Sequence, residues 1–181
     1  MSVLSATGFL APEQVTAYTA ALLDMLGTQN PLAVLGDTPA ALRVAVERLA
    51  PAQLGQREAP GKWSTGMVIQ HLADSELVGA FRLRMILAQD RPPIAPYDQD
   101  RWAAKLHYDQ ADIAEALERF VVLRRANLRL WAGASSADMA RVGLHGERGE
   151  ESLEQMRRLY AGHDLAHLHQ LSRIRILLTG H

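Results

Sequence analysis

Apolar residues recur at spacings of three and four along most of this chain and nowhere alternate in the two-residue rhythm of a strand, so the pattern predicts helices. A first amphipathic segment opens at Pro12, sets Val15, Tyr18, Leu22, Met25 and Leu26 on one side, and stops at Gly27. The stretch TQNPLAVLGD reads as a connector. Thr38 as N-cap and Pro39 at the first position then start a second helix carrying Leu42, Ala45, Val46 and Leu49. A third helix runs from about Ser64 to Gln89. Asp109 caps a fourth, with Ile113, Leu117, Phe120, Val121, Leu128 and Trp131 on its apolar side, and the last runs from about Glu151 to Leu178, ahead of Gly180. All eight prolines lie at or before position 96, which leaves 61–91 and everything beyond 96 free for long helices. Two loops separate these helices. Residues 90–108 hold Pro92, Pro93 and Pro96, and GASSADMARVGLHGERGEE is rich in small and turn-forming residues. The expected fold is all-α: a four-helix bundle over residues 37–181, preceded by an N-terminal extension, residues 1–36, with one helix of its own.

Two of these helices carry polar residues where a bundle prefers leucine. The last helix has a seam of Leu153, Met156, Tyr160, His163, His167, Gln170, Ile174 and Leu177, and the third has Met67, His71, Asp74, Val78, Phe81 and Met85. A buried polar group without a partner costs about 1–3 kcal/mol, so imidazoles at seam positions call for a shared partner. His163 and His167, four apart, rise from adjacent turns of one face, and His71 would face them from the other helix. A divalent cation bound by all three would be such a partner, and three protein ligands leave coordination positions open, as in catalytic rather than structural sites. Hydrogen-bonded core histidines are the competing explanation. Asp74, one turn after His71, is a candidate to orient an imidazole from outside the ligand set. His169 points elsewhere, His107 and His145 lie in or beside the loops, and His181 ends the chain. The run His163-Asp164-Leu165-Ala166-His167 is close to the zinc-protease HExxH, but Asp is one methylene shorter than the Glu that acts as base there, which argues against a protease.

Composition removes several alternatives. With 181 residues the chain fits one domain, and 48% hydrophobic with 22% charged residues is ordinary for a globular protein. The net charge of −1 argues against nucleic-acid binding. The absence of cysteine excludes disulfides, thiolate zinc ligands and a thiol nucleophile. No apolar run is long enough to span a bilayer, and MSVLSATGFLAPEQ lacks the features of a signal peptide, so a cytoplasmic protein without membrane contact is expected.

The segments Gly61-Lys62-Trp63-Ser64 followed by MVIQHLADSE, then Pro96-Tyr97-Asp98-Gln99-Asp100-Arg101-Trp102, then GLHGERGEESL with AGHDLAHLHQL, together resemble the signatures of the DinB-like superfamily over about residues 37–178. The resemblance implies a four-helix bundle, a divalent metal on His71, His163 and His167, and in many members a homodimer. It also implies a metal-dependent transferase using a low-molecular-weight thiol, or a metal-dependent hydrolase, acting on a small molecule. A non-catalytic metal-binding stress-response bundle working through dimer or partner contacts is the alternative. Imidazole ligands suit zinc, nickel, copper and iron alike, which leaves the metal open. Tyr97, Arg101, Trp102, Arg141 and His145, all in the two loops, are the candidates for contact with substrate.

Overall fold

The computed structural model describes residues 11–180. Residues 1–10, which include most of the stretch read for a leader and the start of the expected extension, and His181 lie outside them. In chain order the elements are α1 (Pro12–Leu26), α2 (Pro31–Glu47), α3 (Pro51–Leu54), α4 (Thr65–Ala88), β1 (Pro93–Ile94), α5 (Gln99–Lys105), a 3-10 turn (Tyr108–Gln110), α6 (Ile113–Gly133), α7 (Ser136–Met139), β2 (Val142–His145), β3 (Gly149–Ser152) and α8 (Leu153–Thr179). Helices α2, α4, α6 and α8 form the bundle, and α1 packs along α8. None of the described helices is long and apolar enough to cross a membrane.

Most helix ends follow local chemistry. Ser64 and Ser152 cap α4 and α8 by accepting from the N–H groups of Met67 and Gln155, three residues on. Two expected starts are corrected. Asp112, not Asp109, caps α6, accepting from Ala114 and Glu115, while Asp109 lies in the 3-10 turn. Helix α2 begins eight residues before Thr38-Pro39, at Asn30-Pro31, an equally good start signal: the Asn30 side chain accepts from the N–H of Leu32 at 2.9 Å. Most of the supposed connector is therefore helix, Thr38 and Pro39 are interior, and the expected boundary between residues 36 and 37 falls inside α2. The two loops are also more structured than their composition predicts. β1 pairs in parallel with β2, which pairs antiparallel with β3. Strands of two to four residues are too short for an alternating pattern to register.

The bundle interior has two apolar halves with a polar layer between them. One half contains Leu35, Leu83, Trp131 and Met156, and the other Leu42, Leu72, Phe120 and Leu171. Following each helix from one half to the other shows that α2 and α8 run one way and α4 and α6 the opposite way. Helix α4 borders α6 and α8, and α2 borders the same two, so the consecutive bundle helices α2 and α4 lie across the diagonal. Since α4 and α6 are neighbours and parallel, the chain must travel back along the bundle between them. That is the job of the segment containing β1 and α5, of which α5 packs on α4 and β1 pairs with β2.

The polar layer is an ion triad. Arg124 of α6 donates to Asp164 Oδ2 at 2.5 Å and to Glu76 Oε2 at 2.8 Å, and Asn127 donates to Glu76 Oε1 at 2.7 Å. Burial works against the Arg124 charge, but Asp164 and Glu76 outweigh it and raise its pKa. A third donor bond from Arg124 reaches the carbonyl of Leu35 at 3.0 Å. That carbonyl lies four residues before Pro39, which has no N–H to give it. The guanidinium therefore supplies the hydrogen bond that the proline inside α2 cannot.

Candidate metal centre

His71 lies in the second turn of α4, and His163 and His167 lie one turn apart on the facing side of α8. The Nε2 atoms of His71 and His167 are each 3.1 Å from Nε2 of His163, and all three nitrogens fall within 4.8 Å of one another. All three rings are buried. Trp63 closes one side, its centroid 4.9 Å from that of His71 and its ring nearly parallel to His167.

The protonation pattern of this cluster follows from its surroundings. His167 Nδ1 donates to Gln170 Oε1 at 2.8 Å, which leaves Nε2 of His167 with a lone pair and no proton. Burial, then repulsion from His167, holds His71 well below the usual imidazole pKa. His163 is well below it too, through burial, then His167, His71 and Arg124. Burial pushes His167 down to about 4, although the bond to Gln170 opposes this. At neutral pH the rings are uncharged. His71 Nδ1 has no hydrogen-bond partner among the described residues, so unlike His167 nothing outside the cluster fixes its tautomer. Three neutral imidazoles converging through Nε2 fit a divalent cation as a donor set.

The other expected site residues divide. Asp74 does not touch an imidazole. Its Oδ2 accepts from the Tyr108 hydroxyl at 2.7 Å and from Gln70 at 3.1 Å, and Arg119 lies 3.5 Å from Oδ1. The residue that orients a ring is Gln170, one turn beyond His167 on the same face, which the sequence marks only as a polar seam position. Tyr97 and His145 line a cleft of about 140 Å³ that has His163 in its wall. Trp102 stands behind Tyr97, ring centroids 4.6 Å apart, and does not line the cleft. Arg101 is exposed on α5 and also outside the lining. Arg141 is committed elsewhere: it donates to the carbonyls of Ile86 and Gln89 and so ties off the end of α4.

Several cleft residues were not anticipated: Tyr18 from α1, Ser75 and Arg82 from α4, and Tyr160 from α8. Phe81, assigned to the α4 seam, is 65% exposed, while its neighbour Arg82 is buried. A signal for Tyr160 existed in Gly79. A Cβ there would stand 2.6 Å from the Tyr160 ring, so glycine is what lets the tyrosine lie against α4. Asp164, the acid of the HDLAH run, points into the ion triad and away from the imidazoles, which removes it as a base.

Comparison with known proteins agrees with this architecture. A family model described as the DinB superfamily matches residues 35–171. A protein of Oceanobacillus iheyensis named "Putative metal-dependent hydrolase" is 33% identical over 132 residues, 73% of this chain and 76% of that one. YfiT of Bacillus subtilis, named in the same way, is 31% identical over 144 residues, 77% of this chain and 81% of its own. A solved structure of YfiT, described as a probable metal-dependent hydrolase with an unusual four-helix bundle topology, matches with a TM-score of 0.70 at 26% identity, covering 93% of this chain and 91% of that one. With the matched region running from α2 into α8 and taking in all three converging histidines, this chain belongs to the DinB superfamily.

Proposed function

We propose that this protein is a metal-dependent hydrolase acting on a small molecule held in the cleft beside His163. The observation that carries the reading is the convergence of three neutral imidazole Nε2 atoms at the wall of that cleft. The names of the relatives support the same class. A divalent ion held by His71, His163 and His167 would supply Lewis acidity, with coordination positions left for water or substrate. The chain's own residues do the rest. Gln170 holds His167 in the tautomer that keeps Nε2 free. Trp63 covers the His71 and His167 side, which leaves His163 as the imidazole bordering the cleft. Asp74 and Asp164, the carboxylates nearest the ligands in sequence, are taken by Tyr108 and Arg124 and act as supports of the helices.

The test starts from elemental analysis of the purified protein, with about one divalent ion per chain expected. Hydrolysis of a panel of simple esters and amides should disappear with a chelator and return with metal. His71→Ala, His163→Ala and His167→Ala should each lose the metal, and His169→Ala should keep it. Running the panel with and without a low-molecular-weight thiol separates hydrolysis from thiol transfer. Full metal occupancy in His163→Ala would sink the site, and metal-loaded protein inert toward every substrate would favour a binding role instead.

A further inference from the structure

The cleft wall holds a guanidinium without a counter-charge. Arg82 is 7% exposed, and Nη2 donates to the carbonyl of Ala95 at 2.6 Å. Its guanidinium carbon lies 5.9 Å from the centre of the Tyr97 ring. Among the described residues no carboxylate reaches ion-pair distance from it, whereas the other deeply buried arginine, Arg124, has two. A buried charge without a partner is costly, so a cation kept in such a wall is matched to something that arrives with the opposite sign.

His145 stands in the same wall and is 3% exposed. Its Nδ1 accepts from the backbone N–H groups of Glu147 at 3.2 Å and Arg148 at 3.4 Å, which places the ring proton on Nε2. That N–H has no acceptor within the described protein. Burial, then Arg148 and Arg82, push the His145 pKa down to about 3, so the ring is a neutral donor. Tyr18, Tyr97 and Tyr160 give the cleft an aromatic lining, with Leu22 and Leu159 adding apolar surface. Among the described lining residues Glu147, half-buried in the hairpin turn, is the one carboxylate and makes no ion pair with Arg82, while the second guanidinium, Arg148, is paired with Glu151.

We infer that the cleft takes a carboxylate-bearing organic molecule, its carboxylate held by Arg82 with His145 Nε2–H as second donor and its apolar body against the tyrosines. The inference rests on the proposed hydrolase only in taking this cleft as the seat of the substrate. A monoanion matches the single uncompensated positive charge, and an apolar body matches the aromatic walls. Inorganic phosphate lacks the apolar body.

The experiment is a calorimetric titration of the full-length protein as purified, its metal content matched between samples, with 4-phenylbutyrate and with its uncharged amide. The acid should bind about tenfold tighter or better, as expected for a hydrogen bond to a charged group. Arg82→Gln, which keeps a donor for the Ala95 carbonyl and leaves all three imidazoles in place, should reduce the acid to the affinity of the amide. A carboxylate held by the metal would bind Arg82→Gln as it binds the wild type, which would overturn the assignment. Equal binding of acid and amide by the wild type, or no binding of the acid, would overturn it whether or not the variant folds. So would inorganic phosphate competing as well as the acid. A protein that prefers the acid but hydrolyses nothing would lose the proposed function and keep this inference, and a hydrolase indifferent to the carboxylate would do the reverse.

Discussion

Single side chains set the two sharpest features of this molecule, the imidazole cluster and the ion triad. At the cluster, Gln170 determines which nitrogen of His167 is free. Gln170→Leu removes that acceptor while leaving the ligands in place. Losing such an outer partner weakens metal binding by about 10–100-fold, and a chelator-competition titration reads this directly against an unchanged helical spectrum. At the triad, Arg124 pairs with two buried carboxylates and completes the backbone of α2. Arg124→Met keeps much of the volume but strands Glu76 and Asp164 without their cation. The expected loss is about 3–5 kcal/mol in urea unfolding. A loss below 1 kcal/mol, on the scale of exposed ion pairs, would show that the layer is far better hydrated than its burial implies.

Among the elements, α1 has the most specific attachment. It lies so close to α8 that a Cβ at Gly162 would stand 2.1 Å from the carbonyl oxygen of Leu22, an approach only glycine permits. Gly162→Ala must push the two helices apart. Overpacking of this kind costs about 1–3 kcal/mol, and α1 should become the first site of proteolytic cleavage. Gly36 gives the contrast. It sits inside α2 with nothing within 4 Å of the added carbon, so Gly36→Ala should be stabilising by up to about 1 kcal/mol. Thermal melting and limited proteolysis of the two variants side by side check both expectations. Because α1 contributes Tyr18 and Leu22 to the cleft wall, Gly162→Ala should also weaken binding there.

For the molecule as a whole, the buried histidines make stability depend on pH. Burial lowers all four: His167 to about 4, His145 to about 3, and His71 and His163 well below the usual value. An unfolded chain takes up protons on these rings below about pH 6.5, and the native chain does not, so the unfolded state binds more protons as pH falls. Stability is therefore full above about pH 6.5 and declines on acidification through the folded pKa of His167 near 4 toward that of His145 near 3. A bound cation competes with the same protons and steepens the decline. Melting curves with and without chelator should differ at neutral pH and converge in acid. Identical curves at neutral pH would mean that the cluster holds no ion.

Chain-local chemistry is legible without the fold. The Pro-free stretches and the helical spacing of apolar residues placed α4 and α8 to within a residue or two, and the interrupted heptads of these helices picked out His71, His163 and His167, because a polar residue in an apolar seam is visible without knowing what faces it. Choices between equivalent local signals lay beyond the sequence. Asn30-Pro31 and Thr38-Pro39 are both good helix starts, and only the packed bundle, where Arg124 reaches the Leu35 carbonyl, makes an interior Pro39 tolerable. Asp74 and Arg82 have the same standing. Each sits on a helix whose neighbours fix its partner, Tyr108 for one and an open cleft for the other, and those neighbours come from segments 34 residues or more away for Tyr108 and from several elements at once for the cleft. A seam residue announces itself by its spacing along one helix, whereas a partner across the fold is settled only when the helices meet.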